Sequence, residues 1–347
     1  MLATLSTRSR RCMLSSVHSH RESRVVTILL CVAMSTTQLA MVSTAGAQSP
    51  KQFGVVTDPA HFVEWSSAIG ARPTLDMEFE AWSRQRTLED RFAAARSQGV
   101  TAYMVTWEPW APVPATLGRE AQYAVQPAYS NASIAAGAWD GYVRSFARTV
   151  RDSGLTVYVR YAHEMNGNWY PWSHDVSAYR RAWRHVVDVF RAEGATNARF
   201  VWSINPNLYQ DQATVIGHAW HYWPGSAYVD VVGTTMIDFG GAKDYPVARF
   251  VDRFRALHSA FGKRVFVTEF QTDFDGRLAW LQDLRAWLAT GTSWVEGLNL
   301  SQAYASRGQA QMGPEVGNLA WSVRTDPAAA AIVRGIVEDV TGATAAS

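Results

Sequence analysis

Cysteine is nearly absent from this chain of 347 residues, and both copies, Cys12 and Cys31, lie close to the N-terminus. From residue 48 onward there is none, so disulfide bonds and thiol chemistry are excluded from that region. The same region has no cluster of lysine and arginine, which argues against a nucleic-acid surface. It also has no linker rich in proline, serine or glycine, so we expect one folded domain.

The N-terminal region has the features of an export signal. Residues 1–24 contain five arginines and one glutamate, residues 25–42 are mostly apolar, and Ala45-Gly46-Ala47 follows with a small-x-small cleavage pattern. Polar residues at 35–38 interrupt the apolar run, which disfavours a permanent membrane anchor. We expect residues 1–47 to be a signal peptide with a basic leader. The mature protein would then be secreted or periplasmic, without membrane association.

The apparent basicity belongs to this leader. The whole chain has 32 basic and 30 acidic residues, and the region after the leader keeps 27 basic and 29 acidic ones. The aromatic content is high, with 15 tryptophans and 13 tyrosines. Such a composition fits a tryptophan-rich core, and it also fits a carbohydrate site, in which aromatic rings cover the apolar faces of sugars.

Strand-like and helix-like segments alternate along residues 48–347. The eight predicted strands are Phe53–Thr57, Thr74–Glu78, Thr101–Trp107, Thr156–Tyr161, Arg199–Ile204, Val229–Thr235, Val265–Glu269 and Val295–Leu300. Apolar residues at helical spacing follow several of them, as in Tyr179, Trp183, Val186, Val187 and Phe190. This order predicts a single (β/α)8 TIM barrel. A doubly wound open sheet is the alternative, but no glycine-rich phosphate loop follows the first strand.

A barrel of this kind carries its active residues at the carboxyl ends of its strands. Polar residues expected at this rim of the barrel include Asp58, Asp76, Glu78, Glu80, Asn207 and Gln302. The most informative segment, RYAHEMNGNWYPW (Arg160 to Trp172), places Glu164 directly after the fourth strand. A second carboxylate, Glu269, ends the seventh strand. Two carboxyl groups are the minimum needed to cleave a glycosidic bond, one as acid and one as nucleophile or base. The alternative for Glu164 is a structural carboxylate paired with Arg160.

The remaining candidates surround these two glutamates in the sequence. We predict substrate contacts from His163, Asn166, Trp169, Trp172, Trp107, Trp110, Asn205 and Asp238. Packing is the competing role for each tryptophan, and for Asn205 it is a loop cap. Arg160 is better explained by a buried ion pair with a barrel carboxylate than by substrate binding. No metal site is expected, because the HExxH pattern would need a histidine at Gly167. No organic cofactor is expected either.

The segment RYAHEMNGNWYPW resembles the signature of glycoside hydrolase family 26, which is best known for endo-β-mannanases. Its members also include β-1,3-xylanases and mixed-linkage β-glucanases. VTWEPW (Val105 to Trp110), FVWSINPN (Phe200 to Asn207) and VFVTEF (Val265 to Phe270) extend the resemblance. It implies a clan A barrel with Glu164 as acid/base, Glu269 as nucleophile, and His163 and Trp169 beside the cleaved bond.

Two positions depart from the family pattern. After the sixth strand the family usually has a tyrosine that orients the nucleophile, and here that position is Ile237. Mannanases tend to place a tryptophan after the eighth strand, where this chain reads LNLSQAY (Leu298 to Tyr304). Both changes fall at the reacting subsite, so they bear on mannan specificity more than on hydrolysis.

The sequence therefore predicts a secreted, retaining, endo-acting β-glycoside hydrolase that works as a monomer on a polysaccharide or oligosaccharide. A β-mannan-type polymer is the first expected substrate. The alternatives are a bacterial exopolysaccharide, a β-glucan or a xylan. A non-catalytic carbohydrate-binding barrel is the alternative of another class, although such a barrel has no need for a proton donor.

Overall fold

In the computed structural model, described residues are 51–56, 59–114, 117, 120–121, 124–206, 211–238, 246–272, 276–301, 323 and 326–342. The predicted leader lies outside them, as do Asp58, Asn207 and Gln302. The boundary at residue 47 therefore stays a prediction. Among the described residues, every helix is too short or too polar to cross a membrane.

Eight parallel strands form a closed barrel in which each strand pairs with the next and β1 pairs with β8. The strands are β1 Gln52–Val56, β2 Leu75–Ala81, β3 Ala102–Glu108, β4 Thr156–Tyr161, β5 Ala198–Ile204, β6 Val231–Asp238, β7 Val265–Thr272 and β8 Val295–Leu300. The described helices are α1 Pro59–Ile69, α2 Glu89–Ser97, α3 Asn131–Ala135, α4 Asp140–Asp152, α5 Val176–Ala192, α6 Gln212–Tyr222, α7 Val247–Phe261, α8 Arg277–Leu288 and α9 Pro327–Thr341. The prediction of a single (β/α)8 barrel is confirmed.

Alternation along the strands divides the apolar residues into two clusters. The smaller cluster, which includes Leu75, Met104 and Phe266, fills the barrel interior. The larger cluster lies between the outer barrel face and the helices. The α5 face predicted from its periodicity is buried in this larger cluster. Successive strand residues thus point either into the barrel or towards the helices.

Helix α9 begins with an Asp-Pro pair, a sequence typical of a helix start. The Asp326 side chain accepts hydrogen bonds from the backbone N–H groups of Ala328 and Ala329, and Pro327 occupies the first turn. This satisfies two of the N–H groups that a helix start leaves unpaired.

The carboxylates of β2 take a different place from the one expected. Three carboxylates of β2 are buried on the outer barrel face: Asp76, Glu78 and Glu80. Leu75 and Met77, which alternate with them along the strand, point into the barrel. Glu80 pairs there with Arg86. Their position near a strand end indicated the catalytic rim, but strand alternation directs them away from it.

Candidate active site

Glu164 lies in a strained turn directly after β4. Ala162 and Glu164 both have left-handed backbone conformations, with φ of 43° and 51°. Such a conformation costs a non-glycine residue roughly 1–2 kcal/mol. The turn is held by two backbone hydrogen bonds, Ala162 N to Trp107 O at 3.1 Å and Glu164 N to Ser203 O at 2.8 Å. Strain maintained by the neighbouring strands is typical of functional positions.

The Glu164 carboxyl group is buried and accepts two hydrogen bonds. Asn205 Nδ2 donates to Oε1 at 3.1 Å, and Trp169 Nε1 donates to Oε2 at 3.0 Å. Burial raises the pKa of Glu164 to about 7, and the nearby Glu269 carboxylate also raises it. Arg160 and the two hydrogen-bond donors act in the opposite direction and lower this pKa. At neutral pH a substantial fraction of Glu164 therefore carries a proton.

Trp169 reaches Glu164 because position 167 is glycine. A Cβ atom at Gly167 would lie 2.6 Å from a ring carbon of Trp169, closer than any real contact. The indole is only partly buried, so part of its ring is open to solvent beside the carboxyl group. Gly167 thus lets one tryptophan both donate to Glu164 and present an aromatic surface.

Glu269 reaches the barrel interior through an irregularity in β7. The register with β6 changes from Thr234↔Val267 to Thr235↔Glu269, so Thr268 is an extra residue. Thr268 lies within 3.4 Å of the Ser203 hydroxyl, and Glu269 pairs with Arg160, so both consecutive side chains face inward. A bulge of this kind changes the direction of a side chain next to an active site.

Arg160 holds Glu269 in a buried ion pair. Its Nη1 lies 2.6 Å from Glu269 Oε1, and both side chains are almost fully buried. Arg160 also donates to the Ser203 hydroxyl at 3.0 Å and to the Thr106 hydroxyl at 3.2 Å. The predicted ion pair between Arg160 and a barrel carboxylate is confirmed, and it fixes the position of the Glu269 carboxyl group.

Aromatic rings form one wall of the site. Tyr170 stacks on Trp172 with ring centroids 4.3 Å apart, and Trp110 packs edge-on against both. His163 lies beside them, with its Nε2 3.0 Å from the Tyr170 hydroxyl. Burial lowers the pKa of His163 well below its usual range, with Arg160 adding to the effect, so this imidazole is neutral. We define this aromatic wall as Trp110, His163, Tyr170 and Trp172.

The structure corrects the expectation for Trp107. Its ring is fully buried on the outer face of β3, where it stacks on Phe146 at 4.5 Å and donates its indole N–H to Tyr142. Strand alternation is the reason, because residues 103, 105 and 107 of β3 all point towards the helices. Trp107 therefore packs the core and does not contact a substrate.

Two other predicted contacts have packing roles in this structure. Trp172 is 1% exposed and donates its indole N–H to the backbone carbonyl of His163. Asn166 is buried and forms a reciprocal pair with the Asn205 backbone, at 2.8 Å and 2.9 Å. Asn166 thus positions Asn205, which in turn donates to Glu164.

Sequence reasoning left two residues of this region open and missed two others. Asp238 is the last residue of β6, and its side chain lies outside the described residues. Ile237 pairs in register with Gln271 and is 6% exposed. Sequence reasoning missed Tyr170 as a partner of His163, and it missed Glu108 as a carboxyl group of the site.

Glu108 ends β3 on the interior face, where Ala102, Met104 and Thr106 precede it at two-residue spacing. It is 5% exposed, and Trp110 Nε1 lies 3.3 Å from its Oε2. Burial raises the pKa of Glu108 to about 7, and the Glu269 charge also raises it. Trp110, Arg160 and Arg84 lower this pKa. Glu108 lies in the VTWEPW segment at the end of a predicted strand, which marks it as a site candidate, but only the two tryptophans of this segment were predicted to contact the substrate.

Two of the carboxyl groups in the site, Glu269 and Glu164, have contrasting environments. Glu269 is paired with an arginine, whereas burial raises the pKa of Glu164 to about 7. This division suits acid and nucleophile roles in glycoside cleavage. Among the described residues, no group of three His, Cys, Asp or Glu side chains is arranged to hold a metal ion.

Comparison with known proteins agrees with this geometry. Residues 127–279, which include both Glu164 and Glu269, match the model of glycosyl hydrolase family 26. This match assigns residues 127–279 to glycosyl hydrolase family 26. The resemblance seen in the RYAHEMNGNWYPW segment is thereby confirmed.

Two curated relatives match parts of this chain. Endoglucanase H of Acetivibrio thermocellus is 29% identical over 175 residues, covering 48% of this chain and 17% of the relative. Mannan endo-1,4-beta-mannosidase A and B of Caldalkalibacillus mannanilyticus is 34% identical over 92 residues, covering 24% of this chain and 17% of the relative. The chain spans less than a fifth of the length of each.

Solved family 26 structures share the fold. A modular endo-beta-1,4-mannanase from Cellulomonas fimi superposes with a TM-score of 0.57 at 16% identity, covering 86% of this chain and 75% of that one. The catalytic domain of an endo-beta-1,4-mannanase from Bacillus sp. JAMB-750 superposes with a TM-score of 0.57 at 17% identity, covering 84% of this chain and 86% of that one. At these identities the likeness concerns the fold alone.

Proposed function

We propose that this protein hydrolyses a β-linked polysaccharide at internal bonds with retention of anomeric configuration. The observation that carries the proposal is the contrast between two buried glutamates, Glu164 with its raised pKa and Glu269 with its 2.6 Å ion pair to Arg160. Retaining glycosidases need one carboxyl group as proton donor and another as ionised nucleophile. Family membership supports the same division of roles.

In the first step, Glu164 protonates the glycosidic oxygen while a Glu269 oxygen attacks the anomeric carbon. The bond to the leaving sugar breaks, and an ester joins the remaining sugar to Glu269. In the second step, the Glu164 carboxylate takes a proton from water, whose oxygen attacks the same carbon. Glu269 leaves as a carboxylate, and both glutamates return to their starting states.

The surrounding residues serve these two steps. Asn205 and Trp169 fix the Glu164 carboxyl group by their hydrogen bonds, so its proton is aimed at one place. The partly exposed Trp169 ring offers an apolar surface next to the acid, where a sugar ring can stack. His163 is 1% exposed and its Nε2 lies 3.0 Å from the Tyr170 hydroxyl, so this neutral imidazole orients Tyr170 without adding charge.

The proposed substrate is a polymer of the β-mannan type or a related β-linked chain. Support comes from relatives whose names include endo-1,4-beta-mannosidases, an endoglucanase and a beta-1,3-xylanase. Ile237, where the resemblance implies a tyrosine, supports a polymer other than plant mannan as the second candidate. Export, as the basic leader and its apolar run indicate, would place the enzyme where such polymers occur.

Product release from a panel of polymers tests this function. The panel contains glucomannan, galactomannan, mixed-linkage glucan, β-1,3-xylan and bacterial exopolysaccharides, each incubated with protein spanning residues 48–347. Oligosaccharides of several lengths from one polymer support internal cleavage and identify the substrate. Binding without release by a folded protein would favour a carbohydrate-binding barrel instead.

The raised pKa of Glu164 predicts an acid-shifted pH profile. The proton donor works in its protonated form, so kcat/KM should be highest below about pH 7 and fall as pH rises through the pKa of about 7. We expect about a tenfold loss for each pH unit above that midpoint. Initial rates on the identified polymer, with folding checked by circular dichroism at each pH, measure this. A profile that stays flat up to pH 9 would contradict the role of Glu164.

A further inference from the structure

We propose that Glu108 is a third carboxyl group of the active site, which binds a sugar hydroxyl beside Glu269 as a neutral acid. The inference rests on the proposed function and deepens it, since it concerns recognition of the sugar that Glu269 attacks. Glu108 ends β3 on the interior face, two residues after Thr106, which accepts a hydrogen bond from Arg160.

Burial, and after it the negative charge of Glu269, raises the pKa of Glu108 and favours its neutral form, whereas Trp110, Arg160 and Arg84 favour the charged form. Arg160 faces it from β4, Glu269 from β7 and Arg84 from the turn after β2, while Tyr170 lies on the aromatic wall. Arg160 is already engaged with Glu269 at 2.6 Å. A second carboxylate here would add negative charge beside the nucleophile. A bound sugar would remove the remaining water and increase the cost of that charge.

The orientation of Glu108 is fixed by the aromatic wall. The Trp110 indole N–H points to Oε2 at 3.3 Å, and the Trp110 ring packs edge-on against Tyr170 and Trp172. A protonated carboxyl group held in this way can donate to one sugar hydroxyl and accept from another. A site built to bond a hydroxyl rejects sugars that lack it or place it differently. Glu108 therefore acts as a specificity-determining residue.

The test measures oligosaccharide binding in a background whose turnover is strongly reduced. Glu164→Gln removes the acid/base carboxyl group, so its titration cannot contribute. Mannohexaose, cellohexaose and β-1,3-xylohexaose are titrated separately by calorimetry between about pH 5.5 and pH 8.5. We expect affinity for one of them to fall about tenfold from pH 6 to pH 8, because only protein with neutral Glu108 binds well.

Three further substitutions in this background identify the titrating group. Glu108→Gln, which keeps a neutral donor and acceptor, should bind within about threefold of the background and show no pH dependence. Glu108→Ala should lose about 10- to 100-fold in affinity at pH 6, since a bound hydroxyl loses its partner. Trp110→Phe removes the donor that favours the charged form, so the midpoint should move to higher pH.

Glu80→Gln is the matched control, because Glu80 is also a buried carboxyl group near a strand end but lies on the outer barrel face. It should leave the affinity and its midpoint unchanged. Binding whose pH dependence persists in Glu108→Gln, or whose strength is unchanged in Glu108→Ala, would overturn the role of Glu108 alone. Absence of binding by the folded Glu164→Gln protein to all three probes, together with no product release by the unsubstituted protein from any polymer of the panel, would overturn the proposed function and this inference with it.

Discussion

Replacing Glu269 by alanine is expected to lower kcat on the identified polymer by on the order of 10⁴-fold or more. The covalent intermediate needs an oxygen nucleophile at this position. The irregularity in β7 turns the Glu269 side chain inward, where it forms an ion pair with Arg160. Azide can enter the space left by the carboxylate. It should restore turnover and give a glycosyl azide of inverted, α configuration.

The Glu269 experiment needs a control for folding. Alanine leaves Arg160 buried without its anion, and breaking a buried ion pair costs about 3–5 kcal/mol. Glu269→Gln keeps an oxygen that can accept from Arg160, so it should be inactive yet better folded. The exposed Glu64→Gln makes the same chemical change outside the site and should keep full activity. Substantial turnover by folded Glu269→Ala without azide would contradict the assignment.

Replacing Glu164 by glutamine is expected to lower kcat on polysaccharide by about 10²–10⁴-fold, the usual contribution of a general acid or base. The amide cannot protonate the glycosidic oxygen, whereas it can still accept hydrogen bonds from Trp169 or Asn205. Oligosaccharide affinity should therefore change little. The loss should also depend on the leaving group, because an acidic phenol departs without a proton.

Dinitrophenyl β-glycosides measure this dependence. With such a substrate, Glu164→Gln should release a rapid burst of dinitrophenol and then slow down, since the glycosyl enzyme waits for a base to activate water. Azide should accelerate the slow phase and give the β-glycosyl azide, the opposite anomer to that from Glu269→Ala. An equal loss on both substrate types, without a burst, would contradict the acid/base role of Glu164.

The sequence allowed the fold and both glutamates to be predicted for identifiable reasons. Parallel strands buried on both sides give apolar runs, and the helices between them carry clear apolar faces, as in α5. All eight predicted strands are present, with ends that differ by a few residues. Glu164 and Glu269 could be recognised because each follows or ends such a run.

Side-chain direction was the part that the sequence pattern did not reveal. Trp107 and Glu108 are neighbours in VTWEPW, yet one packs against Phe146 outside the barrel and the other faces Arg160 inside it. The direction depends on the exact register of β3, and one residue of uncertainty reverses it. The β2 carboxylates were misplaced for the same reason.

Hydrogen-bond partners from distant segments were also beyond sequence reasoning. Asn166 was expected to contact sugar, but it pairs with the Asn205 backbone on the loop after β5. The Thr268 irregularity that turns Glu269 inward has no marker in VFVTEF. Both features arise from the closure of the barrel, which brings β4, β5 and β7 to one centre.

The anomeric form of the first product tests the central claim most directly. Proton NMR of the identified polymer or its oligosaccharides, recorded within the first minutes of hydrolysis, distinguishes the two anomers before they interconvert. Double displacement through Glu269 predicts that the β-anomer accumulates first and the α-anomer grows later by mutarotation. Initial release of the α-anomer would mean direct attack by water, and it would contradict the roles proposed for Glu164 and Glu269.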